Sequence, residues 1–203
     1  MILAASDKRS LSAAIKLLNA GRVVAYPTET LYGLGARYDD VNAISRIYAM
    51  KRRPADKALP LIIGSRTQLG LLTEMRDHRA AVLMERFWPG PLTLIVPARP
   101  GLTEGIVHEK NIAVRIPGPS FALDLVSAAG YPITSTSANV SGLPAAGSAR
   151  MVVAYFGDDI DLVIDGGESP ASLPSTIVDL TAADPVIVRE GVIPAASILA
   201  LIR

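Results

Sequence analysis

Apolar positions recur along the chain in two alternating rhythms. Leu11, Ile15 and Leu18 fall at i, i+4 and i+7, with Ser10 ahead of them and Gly21 behind. A capping hydroxyl, that spacing and a closing glycine predict an amphipathic helix. The run Arg22-Val-Val-Ala-Tyr26 follows, rich in β-branched residues and stopped by Pro27, and reads as a buried strand. Val41, Ile44 and Tyr48 mark a second helical face, Leu61-Ile-Ile63 a strand, and Ala80, Leu83, Met84 and Phe87 a further helix that ends before Pro89. Strands are then predicted at Leu92 to Val96, Ile112 to Ile116, Leu162 to Ile164, Thr176 to Leu180 and Val186 to Val188. Apolar strands interleaved with helices predict an α/β sheet covered on both faces, and late strands without intervening helices make that sheet mixed. The polar, loop-like stretch Asp165 to Ser175 leaves only about thirty residues beyond it, too few for a separate unit, so residues 1–203 are expected to form one domain.

Composition narrows the function classes. The chain is 50% apolar and 19% charged, which is globular rather than disordered composition. It contains no cysteine, which excludes a disulfide framework, a thiolate nucleophile and Cys-ligated zinc. No apolar run approaches the roughly 18 residues of a membrane span, and Met1 to Ser10 lacks the order of a secretory signal, so a soluble, cytoplasmic protein is expected. The net charge of +1 gives no global pull toward nucleic acid. Its distribution is uneven: Arg46, Lys51, Arg52, Arg53 and Lys57 face only Asp56 within twelve residues, whereas no Lys or Arg lies between Arg150 and Arg189.

Three segments carry candidate chemistry. Tyr26-Pro-Thr-Glu-Thr-Leu-Tyr-Gly-Leu-Gly35 directly follows a strand and puts two threonines, a carboxylate and two glycines where open α/β sheets bind ligands. A plain strand-to-helix turn accounts for it about as well. Lys51-Arg-Arg-Pro54 ends a helix, where cations are favourable for electrostatic reasons alone; aimed into a cleft, they could instead neutralise a triphosphate. Pro132-Ile-Thr-Ser-Thr-Ser-Ala-Asn-Val-Ser-Gly142 holds more hydroxyls than helix capping uses, and the surplus favours an oxyanion or nucleotide site. No Gly-x-x-x-x-Gly-Lys-Ser/Thr pattern occurs, so phosphate contacts would come from scattered groups. His78 and His108 have no metal-ligand spacing and receive no role, and no protein metal site is expected. Trp88 and Phe87 read as core, not as a stacking platform for nucleic acid.

Seven blocks occur in order: Tyr26 to Gly35, Ile47-Tyr-Ala-Met-Lys-Arg-Arg-Pro54, Phe87-Trp-Pro-Gly-Pro-Leu-Thr93, Ala113-Val-Arg-Ile-Pro117, Thr136-Ser-Ala-Asn-Val-Ser-Gly142, Pro174-Ser-Thr-Ile-Val-Asp179 and Arg189-Glu-Gly191. Together they resemble the YrdC/TsaC family of threonylcarbamoyl-AMP synthases. The resemblance implies a twisted YrdC-like α/β domain with a basic concave cavity. Position by position, it implies a catalytic, ATP-binding tetrad of Lys51, Arg53, Ser137 and Asn139, with Arg189 near the phosphates and Thr28, Arg115, Ser135 and Ser175 around L-threonine. Ala58-Leu59 and Pro119-Ser120 depart from the family's usual pattern.

The implied reaction joins L-threonine, bicarbonate or CO2, and ATP carrying Mg2+ into threonylcarbamoyl-AMP and pyrophosphate, a nucleotidyl transfer. Its product would pass to the downstream tRNA threonylcarbamoyl-transferase machinery for N6-threonylcarbamoyladenosine at position 37. Two alternatives stay open at this level: an RNA-binding module of the same fold, and a related carbamoyl-adenylate-forming enzyme.

Overall fold

The structure is a computed structural model that describes residues 1–54, 57–171 and 173–202; Asp56, the acid of the basic stretch, lies outside the described residues. The expected α/β arrangement is present, and the strands divide between two mixed sheets. The first holds β1 (Ile2–Ala4), β2 (Val24–Tyr26), β3 (Gly33–Gly35), β8 (Thr136–Ser137) and β9 (Leu162–Asp165), in the order β1-β9-β2-β3-β8. The second holds β4 (Leu61–Ile62), β5 (Leu92–Pro97), β6 (Asn111–Arg115), β7 (Ile133–Thr134), β10 (Thr176–Asp179) and β11 (Val186–Arg189), in the order β11-β10-β5-β6-β4-β7. Parallel and antiparallel pairs occur in both.

The division falls at one residue. β7 pairs with β4 in the second sheet, and β8 pairs with β3 in the first, leaving Ser135 alone between them. Its N–H donates to Pro60 O at 2.7 Å. The hydroxyl-rich segment is therefore the seam between the sheets.

Strand periodicity sets the layers. Val23 and Ala25 enter the larger apolar core, while Val24 and Tyr26 turn to the opposite face with Leu162 and Ile164. There they meet Ala14 and Leu18 of α1 (Ser10–Asn19) and Ala122, Leu125 and Val126 of α5 (Phe121–Ala129). The larger core packs α2 (Val41–Lys51), α4 (His78–Phe87), α6 (Ala149–Phe156) and α7 (Ala195–Ile202) against both sheets, and Trp88 belongs to it. Each fully buried Leu or Ile stabilises by about 1.5–3 kcal/mol. α3 (Arg66–Leu69) is a single turn.

Two local expectations differ. Ser10 is not the cap of α1: Arg9 is, and the buried Ser10 hydroxyl donates to Ala4 O at 2.6 Å, tying the helix to β1. The Gly33-Leu-Gly35 segment, expected to belong either to a ligand-binding segment after the strand or to a strand-to-helix turn, is a strand antiparallel to β2. Its glycines leave room for the ring of Tyr26, because a Cβ on Gly35 would stand 2.5 Å from Tyr26 Cε1 and 2.8 Å from Ile133 Cγ2. No described helix is long and apolar enough to cross a membrane.

Candidate functional site

Alternate side chains of β5, β6 and β10 face away from the larger core and floor a cavity of about 440 Å³. Thr93 and Ile95, Ala113 and Arg115, and Ser175 and Ile177 form this floor, so a polar end grades into an apolar middle. Thr28, Ser135 and Ser137 come from the seam and the β2–β3 loop to form the wall. The charged lining is Arg53, Lys57, Arg115 and Arg189 against Glu109 and Asp179.

Of the residues expected at the site, Thr28, Arg53, Arg115, Ser135, Ser137, Ser175 and Arg189 line this cavity. Lys51 and Asn139 stand behind Ser137. The Lys51 side chain follows Ile44 and Ile47 on the inward face of α2 and is 1% exposed. Its ammonium donates to Ser137 O, to Asn139 O at 2.8 Å and to Asn139 Oδ1 at 3.1 Å. Burial, and then the charge of Arg53, pull the Lys51 pKa down to about 7. The Ser137 hydroxyl donates to Asn139 Oδ1 at 2.6 Å, and Asn139 Nδ2 donates to Leu143 O at 2.6 Å, so the Ser-x-Asn loop is bonded on both sides.

The cationic run separates because α2 ends in a left-handed residue. Arg52, at φ 49°, is exposed and turns the chain, so Arg53 departs from the direction of Lys51. Arg53 Nε donates to Lys57 O at 2.9 Å and Nη2 to Ala58 O at 3.0 Å, which fixes the guanidinium in the wall. Arg46 instead leaves for the late acidic stretch and pairs with Asp161 at 2.5 Å.

At the polar end, Arg189 donates through Nε and Nη2 to Ser175 O, at 3.1 and 2.8 Å, and Nη2 reaches Ser175 Oγ at 3.2 Å. Burial, then the nearby charge of Arg115, lower the Arg189 pKa. The two guanidiniums thus share one end of the cavity. Ser175 Oγ and Thr93 Oγ1 are 2.9 Å apart. Arg115 is 7% exposed, and its Nη1 donates to Glu29 Oε1 at 2.5 Å.

The hydroxyls on the wall differ in capacity. Thr28 Oγ1 donates to Leu31 O at 2.7 Å and accepts from Thr30 N at 3.0 Å, with Thr30 Oγ1 at 2.9 Å. One donor and two acceptor sites are thereby occupied within its own loop. The Ser135 hydroxyl lies beside the Tyr26 phenol, which donates to Thr134 O at 2.8 Å. Burial raises the Tyr26 pKa, against the smaller opposing effects of Ser135 and Arg115.

Thr93 and Lys57 are additions that sequence reasoning did not supply; His108, which it gave no role, also lines the cavity, and Glu29, the carboxylate of the first segment, pairs with Arg115. His108 and Glu109 line the cavity beside Asn111, at a turn whose Glu109 and Lys110 both have positive φ, 49° and 66°. His108 pairs with Asn111 across that turn, a contact no motif marks.

Comparison with known proteins identifies the family of the chain. A family model described as Sua5_yciO_yrdC, Telomere recombination, matches residues 16–191. The Threonylcarbamoyl-AMP synthase of Pyrococcus abyssi is 43% identical over 87% of this chain and 52% of its own length. That of Bacillus subtilis is 38% identical over 95% of this chain and 56% of its own length. The chain thus spans about half the length of these curated relatives. A crystal structure of Pyrococcus abyssi Sua5 complexed with L-threonine superimposes with a TM-score of 0.90 at 40% identity, covering 95% of this chain and 58% of that one. By fold, by ordered motifs and by the extent of this match, the chain belongs to the Sua5/YciO/YrdC family.

Proposed function

We propose that this cavity makes threonylcarbamoyl-AMP and pyrophosphate from L-threonine, bicarbonate or CO2, and ATP. The observation that carries the reading is the convergence of Arg115 and Arg189 with the hydroxyls of Ser135 and Ser175 in one recess. A relative bearing the name of this synthase, and a similar structure holding L-threonine, support it.

The chemistry asks little of a side chain as nucleophile. The threonine amine forms an N–C bond to CO2 and releases a proton. A carbamate oxygen then attacks the α-phosphorus of ATP, an O–P bond forms, and the bond to the β-phosphate bridging oxygen breaks. Catalysis is positioning, charge stabilisation and exclusion of water from a carbamate that decomposes readily. Arg115 suits the amino-acid carboxylate, which a planar guanidinium grips by two N–H groups. Arg53 and Arg189 neutralise phosphate charge, with Ser137 donating to a phosphate oxygen, while Lys51 and Asn139 hold the Ser137 loop in place. Magnesium would arrive on the triphosphate with phosphate and water ligands.

In this reading residues 1–203 act as one domain in the cytoplasm, and the labile mixed anhydride passes to the tRNA threonylcarbamoyl-transferase machinery for N6-threonylcarbamoyladenosine at position 37. Exchange of labelled pyrophosphate into ATP tests it: exchange should require both L-threonine and bicarbonate. Exchange driven by carbamoyl phosphate without threonine would establish the carbamoyl-adenylate alternative instead. A protein with no exchange but steeply salt-dependent RNA affinity would be a binding module.

A further inference from the structure

Glu29 is the unexplained charge beside the polar end of the cavity. Its Oε1 accepts from Arg115 Nη1 at 2.5 Å, and the two side chains are only 15% and 9% exposed. The other oxygen, Oε2, is buried with no hydrogen-bond partner among the described residues. Such an oxygen costs free energy, and a buried ion pair of this kind is weak support for stability by itself. Glu29 is not among the cavity-lining side chains, although Thr28 and Thr30 on either side are. It approaches Arg115 from behind, and the turn at Gly118 is packed against its stem, where a Cβ on Gly118 would stand 3.0 Å from Glu29 Cγ. The carboxylate is wedged, and it holds one end of the guanidinium. No other side-chain N–H of Arg115 has a hydrogen-bond partner among the described residues, and none of its side-chain nitrogens is a buried, unpartnered atom. Those donors therefore open toward the cavity.

With Arg115 taken as the partner of the amino-acid carboxylate, as proposed above, we propose that Glu29 is a positioning residue that fixes the Arg115 guanidinium by one edge so that its free edge meets the substrate carboxylate. Charge alone does not serve this purpose. Neutralising Arg115 weakens its attraction for an anion, so a purely electrostatic Glu29 would oppose threonine binding, and its removal would tighten binding. Positioning predicts the reverse.

The test is calorimetric binding of L-threonine without ATP, followed by threonine and ATP KM values in pyrophosphate exchange. Glu29→Gln retains an oxygen for Nη1 and should weaken L-threonine binding only about threefold, while Glu29→Ala should weaken it at least about thirtyfold with the ATP KM unchanged. The preference of the wild-type protein for L-threonine over L-threoninamide should approach parity in Glu29→Ala. Should Glu29→Ala fail to fold, Glu29→Asp takes its place; it keeps the charge but withdraws the oxygen by one methylene, and should weaken binding at least about tenfold. Wild-type affinity in the folded Ala or Asp variant, tighter binding in either, or equal loss for threonine and ATP would overturn the proposal. A wild-type protein that does not bind L-threonine would remove the threonine reading itself, an outcome distinct from normal wild-type binding with unresponsive variants.

Discussion

The Lys51 ammonium is seated against Asn139, donating to its backbone carbonyl at 2.8 Å and its side-chain oxygen at 3.1 Å while also reaching Ser137 O. Three N–H groups meet three protein acceptors, so the lysine joins the end of α2 to the loop after β8 and keeps no donor in reserve. Ser141 N closes the same join from the other side by donating to Lys51 O at 2.8 Å. In the proposed reaction the cation would act on the cavity through the shape of the Ser137 loop, leaving Arg53 and Arg189 to meet ligand charge directly.

Lys51→Met should therefore lose activity by misplacing Ser137, and it should change how stability responds to pH. The folded chain holds the Lys51 proton less tightly than the unfolded chain, with a pKa near 7 against an ordinary 10.5. Between those values the unfolded state binds more protons, so the contribution of Lys51 to stability rises with pH across that window, and its charging cost is fully present below about 7. Melting curves of the wild-type protein and Lys51→Met from about pH 6 to about pH 10 should show the wild type gaining relative to the variant as pH rises. Parallel curves would mean that the seat of Lys51 compensates its burial completely.

Periodicity made the layers readable in advance, because Val24 and Tyr26 alternate with Val23 and Ala25 as a strand buried on both faces requires. The seat of Lys51 was not legible in this way: Val41, Ile44 and Tyr48 were expected to mark the inward face of α2, whereas Val41 is exposed and Ile44, Ile47 and Lys51 share the buried face. The division into two sheets was not legible either, because it depends on Ser135 lying between two two-residue strands, each too short to carry a pattern. Gly33 to Gly35 escaped for a related reason: glycine reads as a turn, and only the ring of Tyr26 lying against it explains a glycine strand. The Glu29–Arg115 pair joins residues 86 apart in the chain, a distance over which no spacing rule operates.

Gly191 gives a sharper test of the Arg-x-Gly element. A Cβ there would stand 2.1 Å from Pro174 O and 2.7 Å from the carbonyl carbon of Ser175, and backbone atoms cannot step aside as a flexible side chain does. Its N–H also donates to Thr176 Oγ1 at 2.9 Å. Gly191→Ala should cost at least about 2 kcal/mol in denaturant unfolding and displace Ser175. An unchanged unfolding midpoint would show that β10 and the segment after β11 move apart freely.

Arg189→Lys separates charge from shape. The guanidinium grips Ser175 O through two nitrogens, and a lysine ammonium has no such fork. Pyrophosphate exchange should fall by at least about tenfold although the charge is kept, with little change in melting temperature because Arg189 is exposed. Activity near that of the wild type would show that a point charge suffices at this place.

Selectivity between threonine and serine divides the wall hydroxyls. The Thr28 hydroxyl is saturated by Leu31 O, Thr30 N and Thr30 Oγ1, so a substrate hydroxyl that bonded to it would have to break one of these contacts. Ser135 lies at the seam with fewer claims on its oxygen. Thr28→Ser keeps the loop bonds and should leave threonine binding within about threefold, whereas Thr28→Val leaves Leu31 O and Thr30 N unpaired and should destabilise by about 1–3 kcal/mol. Ser135→Ala should raise the KM for threonine and for serine together by about ten- to a hundredfold, because both carry the hydroxyl that loses its partner. Steady-state exchange with each amino acid measures these ratios. If Ser135→Ala leaves both KM values unchanged while folded Thr28→Val raises them, the substrate hydroxyl docks on Thr28, and the loop bonds must rearrange when it binds.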